Sequence, residues 1–163
     1  MRYALMILTL GIACGLAGAE SRVTNGSFEN TETLLKGVRT EDVAKDPTLR
    51  AKAMGAWATV AWGTPGATKD ALSIIAAPDA PHGKHVAQVD NTINQISAFA
   101  YQIPQEQLES GQWYELACRI RTEDLVGQGA FLMVEFWDGG YGCGGVDSAH
   151  LNGTNAWRQA TVR

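Results

Sequence analysis

The residues best suited to binding chemistry lie on two predicted strands, 113–121 and 131–137. Both segments alternate apolar and polar residues, which is typical of strands with two different faces. Aromatic rings can stack on the apolar side of a ligand, while guanidinium and carboxylate groups make paired hydrogen bonds with hydroxyls. If the two strands are neighbours, they predict a binding face for a polyhydroxylated ligand. The side chains of that face are Trp113, Arg119, Arg121, Glu135 and Trp137.

Tyr141 adds an aromatic ring in the glycine-rich segment 139–145, which the sequence predicts to be a loop able to close over a ligand. A simpler interpretation stays open. Tryptophan is highly buried on average, so these rings can belong to the core. Arg119 and Glu135 can then form a cross-strand ion pair of small energetic value.

Catalysis is not indicated. His82 and His85 lack the helix and the glutamate of a zinc-protease arrangement, and neither a nucleophile elbow nor a phosphate loop occurs. Glu115 and Glu135 can be imagined as a glycosidase pair, but solvated or ion-paired strand positions explain them better. We therefore expect no enzyme activity from this chain itself.

Length and charge narrow the class of protein. The chain has 163 residues and a formal net charge of −4, with its lysines and arginines scattered. Without a basic run, neither a nucleic acid nor an anionic membrane surface is expected as a partner.

Residues 1–19 have the features of a secretory signal peptide. Arg2 precedes an apolar stretch, and Ala17-Gly18-Ala19 provides the small residues of a cleavage site before Glu20. The sequence therefore predicts secretion or display at the cell surface, with one domain over 20–163. Acylation of Cys14, as in a lipoprotein, is the alternative.

Two cysteines, Cys118 and Cys143, remain after the predicted cleavage. Export makes a disulfide between them chemically allowed, and two separate thiols are the alternative. The sequence leaves both open, because it does not give the distance between the α-carbons.

The remaining pattern predicts an all-β fold. Short apolar segments alternate with Gly, Pro and Asn turn signals, as in a β-sandwich. A short helical excursion is predicted near 40–54, where Asp46 can cap the helix, Pro47 fits its first turn and Gly55 can end it. The segment 23–28 is predicted to be a short strand followed by an Asn-Gly turn. The other predicted strands are 56–62, 73–76, 85–89, 96–103, 113–121, 131–137 and 157–162.

Four segments, in this order, resemble the galactose-binding-domain-like jelly rolls, and most closely their carbohydrate-binding modules for xylan and β-glucan. The family's "Gly, aromatic, Tyr, apolar, Arg" strand is matched by Gly111 to Arg119. The resemblance implies a jelly-roll β-sandwich, and the final strands of the family are missing here. The matching segments are 25–29, 82–87, 111–119 and 155–158.

The same resemblance implies a structural Ca²⁺ ion near the start of the domain. Its ligands would come from Ser27 and Glu29 and from the carbonyl groups of Gly83 or Lys84. Calcium prefers several oxygen ligands of this kind.

Together these features predict a non-catalytic carbohydrate-binding module at the N-terminus of a secreted protein. It would bind a polysaccharide or oligosaccharide and hold an appended downstream domain, such as a glycoside hydrolase, near its substrate. The alternative is a structural or interaction domain of a bacterial cell-surface protein, with the same sandwich and no sugar site.

Overall fold

The structure is a computed structural model and describes part of the chain. For 5–9, 60–62, 96, 137–138 and 141–142 the description covers the backbone alone. The described residues are 5–9, 23–30, 46, 48, 52, 56–62, 72–90, 96–103, 107–138 and 141–163.

These residues form an all-β fold, as predicted. Nine strands occupy three antiparallel sheets. The strands are β1 (Leu5–Thr9), β2 (Trp57–Trp62), β3 (Leu72–Ala76), β4 (His85–Asp90), β5 (Ile96–Tyr101), β6 (Leu116–Ala130), β7 (Met133–Asp138), β8 (Tyr141–Asp147) and β9 (Leu151–Val162).

The largest sheet has five strands in the order β3-β4-β1-β6-β9. Alternation along β6 gives it two faces, because Cys118 and Ile120 are fully buried while Arg119 is exposed. The long β6–β9 pair is irregular, with register shifts between Ile120 and Ala130. These irregularities shape the end of the sheet where the candidate site lies.

The second sheet, β2 and β5, covers the inner face of the five-stranded sheet. Trp57 and Phe99 from this pair pack in one core with Val89, Cys118 and Ile120. Apolar burial between two sheet faces is the main stabilising contribution in such a fold.

The third sheet is the β7–β8 hairpin, and it corrects the prediction of a glycine-rich loop over 139–145. Strand β8 begins at Tyr141 and runs through Gly144 and Gly145, which lie opposite Phe136 and Glu135. Pairing with β7 gives the backbone N–H and C=O groups of these glycines hydrogen-bond partners. The segment therefore forms a strand, although glycine has a low preference for strands.

Over 23–28 the predicted Asn-Gly turn forms, but the short strand expected before it does not. These residues form a turn in which the Phe28 N–H donates to the Asn25 carbonyl at 3.0 Å. Asn25 and Phe28 both have positive φ, 51° and 57°, which is incompatible with an extended strand. The turn places the Phe28 ring in the core, 4.8 Å from the Trp57 ring centroid.

The predicted helix near 40–54 lies outside the described residues except at Asp46, Thr48 and Lys52. Thr48 and Lys52 have helical backbone, and the Thr48 N–H donates to Asp46 Oδ1 at 2.8 Å. This bond is the one expected of Asp46 as a helix cap. Among the described residues, no helix is long and apolar enough to cross a bilayer.

Strand β1 lies within residues 1–19, which the sequence predicts to be a signal peptide. It lies in the middle of the five-stranded sheet, antiparallel to both β4 and β6. Among the described residues of 20–163, no strand occupies this position between β4 and β6.

Candidate functional site

Three side chains distant in sequence meet on the outer face of the five-stranded sheet. Arg121 of β6 forms an ion pair with Asp79, and the Trp157 indole N–H donates to the same Asp79 Oδ2 at 3.3 Å. The Arg121 guanidinium carbon lies 5.3 Å from the centroid of the Trp157 ring, at cation–π distance. We call these three residues the Asp79 cluster.

Local structure explains why the three groups meet. Asp79 lies in a tight turn after β3, closed by the Ala80 N–H donating to the Ala77 carbonyl at 3.1 Å. Trp157 and Ala80 both pack against the small buried cluster of Ala77 and Val86, which fixes the turn over the outer face of the sheet. The two-residue alternation of β6 then points Arg121 to the face that the turn covers.

An open cleft of about 510 Å³ adjoins the cluster. Most of its lining residues have polar or charged side chains, so a ligand there would meet hydroxyl, amide and carboxylate groups on two neighbouring strands. The lining residues are Arg121, Thr122, Glu123, Asp124, Thr154, Asn155 and Ala156.

Hydrogen bonds between β6 and β9 hold the cleft wall in place. The Asp124 N–H donates to Thr154 Oγ1 at 3.0 Å, and this hydroxyl donates to Asp124 Oδ1 at 3.0 Å. Asn155 Nδ2 donates to Thr122 Oγ1 at 2.8 Å. Asp124 has a φ of 50°, a conformation that costs energy for a residue with a Cβ and that these contacts hold in place.

The cluster has the chemistry that binds sugar hydroxyls. A carboxylate accepts hydrogen bonds, a guanidinium donates them, and an indole ring offers an apolar surface. The Asp79 and Arg121 side chains are 53% and 31% exposed, so both remain accessible to a ligand. Because side chains alone make the described contacts of Asp79, the cluster can rearrange without breaking backbone bonds.

The predicted binding face is brought together only in part. Arg119 and Glu135 are both exposed but lie in different sheets, opposite Gln159 and Gly145 respectively. The condition that their strands be neighbours is therefore not met. Arg121 is the predicted residue that the structure places in the Asp79 cluster.

The predicted aromatic residues lie apart from the cluster. Trp113 is 90% exposed and precedes β6 instead of lying on it. Trp137 pairs with Gly142, and Tyr141 with Asp138, near the turn of the β7–β8 hairpin. The side chains of Trp137 and Tyr141 lie outside the described part of the structure.

A second carboxylate, Glu29, joins the turn 23–30 to the loop before β4. Its Oε1 accepts the N–H groups of Lys84 at 2.7 Å and His85 at 2.9 Å, and Oε2 lies 3.1 Å from His85 Nδ1. The Lys84 N–H, followed by the His85 ring, holds the pKa of Glu29 at about 2, well below its ordinary 4.5. We call this arrangement the Glu29 latch.

The latch contains the residues that the resemblance assigns to calcium. Glu29 contacts the N–H groups of Lys84 and His85 and not a carbonyl oxygen of this segment. The Lys84 carbonyl accepts the Ala77 N–H at 2.9 Å. Ser27 is half-buried in the same turn as Glu29. Within the described residues, no group of three or more His, Cys, Asp or Glu side chains is arranged to hold a metal ion.

The cysteines do not form the disulfide that the sequence allows. Cys118 is fully buried in β6, and Cys143 is exposed in β8 of a different sheet. Burial raises the pKa of the Cys118 thiol to about 12, so this thiol stays protonated near neutral pH.

Two of the three cluster residues were missed as site residues from the sequence. Asp79 was not singled out from the sequence, and Trp157 was identified only as the first residue of a predicted strand. The available signals were a charged residue between two prolines and a tryptophan in an otherwise polar strand. Neither signal shows that the two side chains meet.

No family model matches this chain, and neither does any curated protein or solved structure.

Proposed function

We propose that this chain is a secreted, non-catalytic carbohydrate-binding module whose binding site is the Asp79 cluster with the adjoining cleft. The observation that carries the proposal is the meeting of a carboxylate, a guanidinium and an indole beside an open polar cleft. Such a combination can pair with sugar hydroxyls and cover the apolar side of a sugar ring.

The proposal includes the finer fold and the cellular location. We propose a jelly-roll β-sandwich of the galactose-binding kind, which the core between the five-stranded sheet and the β2–β5 pair supports. Export by the leader over 1–19 would bring the module to extracellular glycans. An appended polysaccharide-degrading domain would then act at a raised effective concentration of substrate.

Isothermal titration calorimetry of the full chain against soluble xylan, β-glucan and galactan oligosaccharides tests the binding function. We expect saturable binding to at least one of them, weakened by Arg121→Ala. Arg158→Ala, an exposed arginine of the same β6–β9 pair, is the matched control and is expected to bind like the unchanged chain. Absence of binding across all three classes would contradict the proposal.

The family resemblance also implies a structural Ca²⁺ ion near the start of the domain, which we keep as a separate proposal. Because Glu29 and the Lys84 carbonyl already accept N–H groups, the ion would have to displace those hydrogen bonds. An ion that binds only the native state raises Tm as its concentration increases. Thermal unfolding in millimolar Ca²⁺ should therefore give a higher Tm than unfolding in EGTA, with Mg²⁺ as the control cation. Equal Tm values in Ca²⁺ and EGTA would rule the ion out.

A second candidate function is that of an interaction domain at the cell surface. Exposed apolar side chains on the C-terminal half of the chain favour it, namely Val126 at 62%, Phe136 at 59% and Val146 at 42% exposed. Apolar surface of this kind is typical of protein contacts when it is contiguous. Glycan binding that survives Phe136→Ser and is lost with Arg121→Ala would favour the sugar-binding function over this one.

A further inference from the structure

The central position of the five-stranded sheet is held by residues that signal cleavage would remove. Leu5–Thr9 pairs with β4 from Leu5 opposite Asp90 to Leu8 opposite Ala87. On its other side, it pairs with β6 from Ile7 opposite Arg121 to Thr9 opposite Arg119. Without β1, one backbone edge of β4 and one of β6 lose their hydrogen-bonding partners.

The neighbouring residues define what this strand position accepts. Position 8 lies between Ala87 and Ile120, and position 6 lies opposite Val89, all three being buried core residues. Position 9 lies opposite the exposed Arg119. The position therefore suits an extended strand with apolar residues at two alternate sites and an acidic residue facing the arginine.

The described residues that follow the leader are held elsewhere. The Thr24 N–H donates to the Tyr101 hydroxyl at 3.2 Å, and the Trp57 indole N–H donates to the Thr24 carbonyl at 3.2 Å. Glu29 is fixed at the loop before β4. The remaining described strands, β2–β9, already pair at other positions.

We propose that removal of residues 1–19 turns the space between β4 and β6 into a strand-acceptor site for a partner polypeptide. The partner strand runs antiparallel to both neighbours, with apolar residues facing the core and a carboxylate facing Arg119. Main-chain hydrogen bonds on both sides supply affinity, and the alternating side chains supply selectivity. This inference depends on the proposed leader cleavage and is independent of glycan binding.

The test uses the full chain with a specific protease site inserted between Ala19 and Glu20, cleaved after folding. The first probe is a synthetic peptide of residues 3–10 with Thr9→Glu. A second peptide carries Thr9→Lys, and a third carries Met6→Asp and Leu8→Asp. Hydrogen exchange of the β4 and β6 amides is measured before cleavage, after cleavage and removal of the leader, and with each peptide.

The expected result is loss of β4 and β6 protection after the leader is removed and its recovery with the Thr9→Glu peptide at one peptide per chain. The Thr9→Lys peptide should bind more weakly, and the double-aspartate peptide should restore nothing. Protection that persists in the cleaved monomer would show that residues 20–163 fill the position and would overturn the proposal. Protection restored by dimerisation of the cleaved chain, or equally by all three peptides, would also overturn it. Glycan binding is measured in a separate titration, so a negative result here does not contradict the sugar-binding proposal.

Discussion

The Glu29 latch and the Asp79 cluster are both built around a carboxylate, yet they differ in what holds the carboxylate in place. Glu29 accepts two backbone N–H groups and contacts the His85 ring. The described contacts of Asp79 come from the Arg121 and Trp157 side chains. A polar cleft opens beside the second carboxylate.

The difference separates a structural role from a binding role. Backbone donors are fixed by the fold, so Glu29 ties the turn 23–30 to β4 and has little freedom to exchange partners. Side-chain donors can turn towards a ligand at small cost, because an exposed ion pair contributes only about 0–1 kcal/mol to stability. We infer that loss of Glu29 affects folding, whereas loss of Asp79 or Arg121 affects ligand binding.

The largest effect is expected from a methyl group placed against the latch. In Gly83→Ala the new Cβ would collide with Glu29 Oε1, and φ at this position is +74°. Gly111→Ala is the matched control, because its φ is +80° and nothing lies within 4 Å of the added Cβ. Urea unfolding should show a loss of about 1–2 kcal/mol for the control and a further 1–3 kcal/mol, roughly, for Gly83→Ala. Equal losses of unfolding free energy in the two variants would mean that the Glu29 latch does not contribute to stability.

The latch also predicts an acid-sensitive stability. Because the pKa of Glu29 is about 2 in the folded chain and 4.5 ordinarily, its stabilisation is fully present above pH 4.5. That stabilisation is lost as the pH falls from 4.5 towards 2, where the folded chain takes up the proton. Tm measured across this range should fall more steeply for the unchanged chain than for Glu29→Gln. If Tm falls equally with pH in the two proteins, protonation of Glu29 is not linked to stability.

The smallest effect is expected at the cluster. Asp79→Asn removes the ion pair with Arg121 but keeps the size of the side chain, so unfolding free energy should change by less than about 1 kcal/mol. Glu29→Gln measured at pH 7 should lower Tm by more than this substitution does. The reverse order would show that the structural and binding roles have been assigned to the wrong carboxylates.

Much of the fold could be predicted because its signals are local. Strands such as β4, β5 and β6 contain apolar residues at alternate positions or in short apolar segments bounded by turn residues. The β8 strand was missed because Gly144 and Gly145 normally indicate a loop, and only pairing with β7 reveals the strand. The Asn25-Gly26 pair correctly indicated a turn, but the short strand expected before it does not form, and nothing in the sequence indicates the positive φ of Phe28.

The candidate site was harder to predict because it depends on contacts between distant residues. Arg121 was identified from strand alternation, but Asp79 lies 42 residues away along the chain. Trp157 reaches Asp79 across 78 residues. Hydrophobic alternation gives the face on which a side chain lies, but not which turn folds over that face.

A glycan titration of Arg121→Ala beside Glu29→Gln separates the binding role of the Asp79 cluster from the structural role of the Glu29 latch. At pH 7 and a temperature where both variants are folded, we expect Arg121→Ala to weaken binding by about 10–100-fold, the size expected for a central charged contact. Glu29→Gln should bind like the unchanged chain. Unaltered affinity in Arg121→Ala, or an equal loss in both variants, would contradict the assignment of the Asp79 cluster as the sugar site.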